Sequence, residues 1–192
     1  TMALDGDARA ARQLVDRALD VAEEEEDYVD ALLLKTEIEL GDEDPEAAAA
    51  TLKQLPPVEL PSLQLELRAA EAFLELGELD RAQAHFEAGA KREPTSAEPL
   101  YGLGLVSEAR GEKAAMIAHF QEVRTLDLKQ PAAPWAVTTE RLEELVEAAL
   151  EELPERAQQL LENVPVVIED YPSEDVVADG FDPRGLGLFA GV

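Results

Sequence analysis

The side chains best suited to chemistry in this chain are two histidines, His85 and His119, and there is no cysteine. Without cysteine, disulfides and thiolate metal sites are excluded. Each histidine directly precedes a phenylalanine, Phe86 or Phe120, and the two histidines are 34 residues apart. A zinc site needs three or four ligands at about 2 Å, and these two residues supply too few. We therefore interpret both histidines as surface residues of a repeat and not as a pair of metal ligands.

Acidic residues dominate the charge, since 43 acidic and 16 basic residues give a formal net charge of −27. Two dense acidic runs, residues 23–27 and 42–44, lack the alternating carboxylates and fixed glycine of a calcium loop, so we interpret them as solvated faces. A charge of this sign repels phosphate backbones and anionic membrane surfaces. We expect no nucleic acid and no membrane as partners, and instead a protein or peptide of basic or mixed charge.

The cellular compartment is predicted from features that the sequence lacks. No apolar run approaches the roughly 18 residues of a membrane span, and the first residues show no signal-peptide pattern. Together with the lack of cysteine, this favours the cytoplasm. Whether a leader precedes Thr1 in a longer precursor stays open.

The sequence around the two histidines repeats with a period of 34 residues. Gly77 and Gly111 have this separation, as do Phe86 and Phe120. The segments that start at residues 62 and 96 each have apolar residues at helical spacing, a break at the glycine, and a second helical pattern. Each segment therefore predicts two amphipathic helices joined by a tight turn.

These segments resemble the tetratricopeptide repeat. The matching positions are small residues in the first helix, a turn glycine, a small residue early in the second helix, an aromatic four residues later, and a terminal proline. They are Ala70, Gly77, Ala82, Phe86 and Pro94 in one copy, and Gly104, Gly111 and Phe120 in the next. The second copy departs at Met116 and Leu128, which suggests the last repeat of an array. The resemblance implies a mainly α fold, a right-handed α-α superhelix.

The array is predicted to cover residues 1–130. It comprises a half repeat at 1–27 that opens with a turn at Gly6, a degenerate repeat at 28–61, and the two clear repeats at 62–95 and 96–129. Residues 131–138, with two prolines and Trp135, are predicted to be a linker. We expect Trp135 to pack the array against the C-terminal segment.

The resemblance also implies where a peptide would bind, because exposed positions of the first helices line the concave surface in that family. Candidates in this chain are Glu66, Arg68, Tyr101 and Ser107, which the sequence does not rank. Arg68 is the only cation of these helices ahead of the turns, so an acidic peptide tail is disfavoured as a ligand.

Residues 139–192 are predicted to form a small α+β appendage. Two helical patterns, over residues 139–153 and 155–163, precede a β-branched run at 164–169 and a second short strand near the end. The stretches 142–154, 161–173 and 186–192 resemble the opening part of a small bacterial zincin-like metallopeptidase family. That family binds zinc through an H-E-x-x-H helix, and no such motif occurs here. No catalytic or metal-binding residue is therefore assigned, and zinc is implied only if the chain continues past Val192.

Two functions remain open on the sequence alone. The first is a protein-interaction scaffold that performs no catalysis with these residues. The second is the targeting arm and front part of a zinc-dependent metallopeptidase. The strand at 164–169 also predicts a homodimer, because an exposed strand edge favours pairing between chains.

Overall fold

The computed structural model describes residues 2–57, 59–131, 136–161, 164 and 166–188. Within these residues the chain forms ten α-helices and no β-strand, which confirms a mainly α fold. The helices are α1 (Met2–Val21), α2 (Glu25–Gly41), α3 (Pro45–Leu52), α4 (Leu63–Glu75), α5 (Leu79–Arg92), α6 (Glu98–Ala109), α7 (Lys113–Asp127), α8 (Thr139–Glu151), α9 (Glu155–Leu161) and α10 (Glu174–Ala178). None of the described helices is long and apolar enough to cross a membrane.

Helices α2 to α7 form three successive pairs. The partners are α2 with α3, α4 with α5, and α6 with α7, while α5 also packs on α6. The first helices of the pairs contact one another in a row, α2 with α4 and α4 with α6, and α1 packs on α2. The pairs are therefore stacked side by side, and a helix pair of this kind buries its apolar faces against its neighbours.

One continuous core joins the three pairs. It runs from Val29 and Leu32 in α2, through Phe73 in α4 and Phe86 in α5, to Val106 in α6. Each of these side chains is buried, and the two phenylalanines are at most 2% exposed. Burial of large side chains at every interface stabilises the stack as a single unit.

The turns inside the pairs use left-handed backbone. Gly77 and Gly111 both have φ +73, a conformation that costs glycine little. In the first pair the left-handed residue is Glu43 with φ 59, while Gly41 is the last residue of α2. Asp44 then caps α3 by accepting a hydrogen bond from Ala47 N at 3.0 Å. This shifted turn explains why the first pair matches the repeat pattern poorly.

The predicted turn at Gly6 is wrong, because α1 continues through it from Met2 to Val21. A single glycine costs a helix interior only about 1 kcal/mol relative to alanine. The alanine-rich residues after it favour helix, so the penalty does not end the segment.

The predicted strands are also wrong within the described residues. Residues 164 and 166–169 are not in a strand, nor are residues 186–188. A β-branched run favours extended backbone, but a strand needs a partner to pair with, and the described chain supplies none. The homodimer through this segment stays a prediction. Trp135 in the linker and the end of the second predicted strand, residues 189–192, lie outside the described residues.

The segment that contains α10 closes the last helix pair. Val177 is fully buried and forms a small cluster with Met116 and Phe120 of α7. Arg124 Nε donates a hydrogen bond to the carbonyl of Pro172 at 2.6 Å, which ties this segment to α7. Helix α10 thereby covers the apolar end of the stack, where a further repeat would otherwise pack.

Candidate functional site

Two of the four predicted groove residues do not reach the surface. Glu66 is 1% exposed and Ser107 is 6% exposed, so neither occupies the exposed position that was predicted, and both assignments are wrong. Both side chains lie on the face of their helix that packs into the stack. Arg68 and Tyr101 are partly exposed, but each is already engaged by other side chains.

Glu66 forms a buried pair with His85. Its Oε2 lies 2.6 Å from His85 Nδ1, and its Oε1 accepts a hydrogen bond from Leu60 N at 2.6 Å. A carboxylate oxygen accepts, so Nδ1 of His85 is the donor of this hydrogen bond. His85 Nε2 has no hydrogen-bond partner among the described residues. The interpretation of His85 as a surface residue is therefore wrong, since it is fully buried.

This pair holds the segment that leads into α4. Arg92 donates to the carbonyls of Leu60 and Pro61, each at 2.6 Å, while Glu66 binds the amide of Leu60. The His85 ring stacks on Phe73 with centroids 5.4 Å apart. The arrangement satisfies buried backbone groups and leaves no access to solvent at the carboxylate. Glu66 and His85 are therefore positioning residues of the fold.

The two histidines differ although the repeat places them at equivalent positions. His119 is half-buried, whereas His85 is fully buried. The residue 34 positions after Glu66 is Leu100, so the second copy has no carboxylate at this position to pair with its histidine. This difference, readable from the repeat alignment alone, is the signal that marks the Glu66 and His85 pair.

The row of first helices carries exposed carboxylates that were not predicted. Glu37 of α2, Glu71 of α4 and Glu98 of α6 are all exposed. Partial burial raises the pKa of Glu71 above 4.5, and the charges of Glu98 and Glu37 raise it further, while Arg68 opposes them. We name the surface that bears Glu37, Glu71 and Glu98 the helix-A face. The 34-residue spacing of Glu37 and Glu71 is the sequence signal that could have found it.

Arg68 is the cation nearest the middle of the helix-A face. Its Nε donates to Glu37 Oε1 at 2.7 Å, and its Nη1 pairs with Asp30. Both partners lie on α2, so the guanidinium is committed to the neighbouring pair. Glu71 has no ion-pair partner in the described part of the chain. The helix-A face therefore retains excess negative charge.

Tyr101 lies at the end of the helix-A face beneath the segment after α10. Its hydroxyl donates to Asp182 Oδ2 at 2.8 Å, and the Arg184 guanidinium lies 4.9 Å from its ring centre. Arg184 binds Asp127 with two hydrogen bonds, at 2.9 and 3.1 Å, and Glu98 with a third at 2.9 Å. A bidentate guanidinium pair of this kind is strong and directional. The predicted groove residue Tyr101 is therefore covered from within the chain.

The phenol of Tyr101 is expected to titrate at about 12, because burial and then the hydrogen bond to Asp182 raise its pKa. In the unfolded chain the pKa of a tyrosine phenol is about 10. The folded protein then holds this proton more tightly, so its contribution to stability is complete below about pH 10 and is lost as pH rises towards 12.

Ultraviolet difference titration of the protein against a Tyr101→Phe variant measures this pKa. A titration of Tyr101 near the ordinary value would show that the contact with Asp182 does not persist in solution.

No group of three or more metal-binding side chains occurs in the described ranges. Comparison of the chain with protein-family models, with curated proteins and with solved structures finds no match.

Proposed function

We propose that this chain is a protein-interaction scaffold whose helix pairs are tetratricopeptide-like repeats in a right-handed superhelix. In this proposal the helix-A face is the concave surface, and it binds a protein or peptide of basic or mixed charge without catalysis. The observation that carries the proposal is the position of Glu71 on the middle one of three successive first helices, where partial burial and then the charges of Glu98 and Glu37 raise its pKa.

Repulsion of Glu71 by Glu98 and Glu37 is the physical basis of the proposal. The stack holds three carboxylates from separate helices near one another. Arg68 pairs with Glu37 and Arg184 pairs with Glu98, while Glu71 has no ion-pair partner among the described residues. Like charges held together cost stability, and folded proteins tolerate such costs at binding surfaces. A cationic side chain placed near Glu71 would remove the repulsion, and the net charge of −27 would attract such a partner from a distance.

The double variant Glu37→Gln/Glu71→Gln is expected to lose affinity for a short peptide that alternates lysine and serine. We expect the Kd to rise roughly 2- to 30-fold at low salt, since the variant removes two exposed ion pairs that contribute about 0.2–1 kcal/mol each. Isothermal calorimetry in low and high salt measures the effect, which should shrink as the charges are screened.

The matched control is Glu46→Gln/Glu87→Gln, which removes the same charge from exposed positions on the second helices α3 and α5. This variant should lose much less affinity. An equal loss from both double variants would mean that net charge alone governs binding, and the helix-A face would have no special role.

A second candidate function is the front part of a zinc-dependent metallopeptidase. It is favoured by the resemblance of residues 139–192 and by α8 and α9, in which no residue is buried. Such a pair of helices is typical of a unit whose packing partners lie elsewhere. The coding sequence after Val192 tests the candidate, because it requires an H-E-x-x-H segment there. A reading frame that closes at Val192 would eliminate it.

A further inference from the structure

Helix α8 presents an apolar stripe that the rest of the described chain does not cover. Leu142 is 41% exposed and Leu145 is 46% exposed, and no residue of α8 is buried. The stripe has helical spacing, with members three or four residues apart. Its members are Leu142, Leu145, Val146, Ala149 and Leu150. Neither α8 nor α9 packs closely on the stacked pairs within the described residues.

An isolated helix of 13 residues is marginal in water, because most helical stability in proteins comes from packing of an apolar face. The described contacts of α8 do not provide that packing. A continuous row of exposed apolar side chains is typical of a site that another molecule covers.

The stripe continues into a groove formed with α9. Gln158 Nε2 donates to the carbonyls of Glu151 at 2.8 Å and Leu153 at 3.0 Å, which fixes the turn between the helices. The groove is open, measures about 520 Å³, and has mostly apolar walls. Its apolar lining residues are Leu150, Leu161, Val164 and Val166. A row of apolar side chains from one helix would fit along α8 with its end in this groove.

The charge around the stripe indicates what kind of helix would fit. Residues 139–161 contain seven glutamates and two arginines. Arg141 already pairs with Glu144 at 2.7 Å, so little positive charge remains to balance the glutamates. A second copy of this chain would bring the same acidic flanks against each other, which opposes association. A cationic helix would be attracted by the same charges.

We propose that α8 and α9 form a docking surface for an amphipathic helix of a partner protein, with lysine or arginine flanking its apolar stripe. Helix α8 is 13 residues long, or about 20 Å at 1.5 Å per residue, so the partner contributes three to four turns. This surface is distinct from the helix-A face and does not depend on its function.

The test uses the full chain and a synthetic helical peptide of leucine and lysine, with leucines at three- and four-residue spacing. Two control peptides accompany it, one with glutamate in place of lysine and one of identical composition with the stripe scrambled. We expect the lysine peptide to bind and both controls to bind at least about tenfold more weakly, since they lack the charge or the stripe.

The variant Leu142→Ser/Leu145→Ser should weaken binding of the lysine peptide at least about tenfold, because it removes two apolar contacts that become buried when the peptide binds. The control Leu14→Ser/Leu128→Ser changes two exposed leucines outside α8, one on α1 and one directly after α7, and should leave the Kd unchanged. The variant Glu37→Gln/Glu71→Gln should also bind the lysine helix normally, so a failure of this proposal is distinguishable from a failure of the helix-A face. Circular dichroism melts of the unsubstituted chain, of Leu142→Ser/Leu145→Ser and of Leu14→Ser/Leu128→Ser should match.

Equal binding of the three peptides, or an unchanged Kd for Leu142→Ser/Leu145→Ser, would overturn the proposal. Sedimentation equilibrium measures whether the chain forms a dimer through this surface. A dimer of the chain that dissociates in Leu142→Ser/Leu145→Ser would identify a second copy as the occupant, and would likewise overturn it.

Discussion

Replacement of Glu66 by alanine is expected to lower the free energy of unfolding by about 2–6 kcal/mol, because each of two buried donors left without an acceptor costs about 1–3 kcal/mol. The substitution leaves two buried groups without an acceptor, the Nδ1 of His85 and the backbone amide of Leu60. It also opens a cavity beside His85, because alanine is smaller than glutamate. Urea denaturation followed by far-ultraviolet circular dichroism measures the loss.

Two further variants separate the hydrogen bonds from the cavity. Glu66→Gln keeps the volume but leaves only one acceptor oxygen for the two donors, so we expect a smaller loss, of about 1–3 kcal/mol. Glu75→Ala is the control, since Glu75 is exposed on the same helix and should change stability by no more than about 0.5 kcal/mol. If Glu66→Ala were as mild as Glu75→Ala, the buried pair would contribute nothing to the fold.

Replacement of Gly102 by alanine is expected to destabilise the stack by about 1–3 kcal/mol through overpacking. A Cβ at this position would lie 2.2 Å from Cε1 of Phe86, which packs from the preceding pair. Gly104 has the same relation to Phe120 of its own pair, also at 2.2 Å. Each phenylalanine therefore fits against a glycine of α6, and an added methyl group forces the ring or the helix to move.

Gly41→Ala is the matched control, because Gly41 is helical and a Cβ there would meet nothing within 4 Å. Alanine is the better helix former, so this variant should be neutral or slightly stabilising. The double variant Gly102→Ala/Phe86→Leu should recover part of the loss, because leucine is smaller than the ring and the two sites are in contact. Independent effects of the two substitutions would contradict direct packing between them.

The helix pairs were predictable because their evidence is local and repeated. The 34-residue period, the turn glycines and the apolar spacing all depend on residues close in sequence. Apart from the turn at Gly6, the predictions that proved wrong concern features that depend on tertiary contacts. Glu66 was expected on the surface, because the first helix of each repeat was expected to line a groove. Its burial depends on the contact with His85, which lies on a different helix.

The strand at 164–169 shows the same limit. A β-branched run indicates a preference for extended backbone, but pairing needs a second strand, and composition does not reveal whether one is present. The closing contact of Arg184 with Asp127 joins residues 57 positions apart, which periodicity cannot detect. The carboxylates Glu37 and Glu71, in contrast, were detectable, since they occupy equivalent positions of successive repeats.

Repulsion among the carboxylates of the helix-A face, relieved by a cationic partner, is the basis of the proposed function. Partial burial and this repulsion both raise the pKa of Glu71. The pKa is measured from the side-chain carboxyl carbon by NMR with and without the lysine and serine peptide, and its change on binding reports on the repulsion. We expect a pKa above the ordinary 4.5 in the free protein, and a fall when the peptide binds. An ordinary pKa in the free protein, or one that does not change while the peptide binds, would contradict the proposed function.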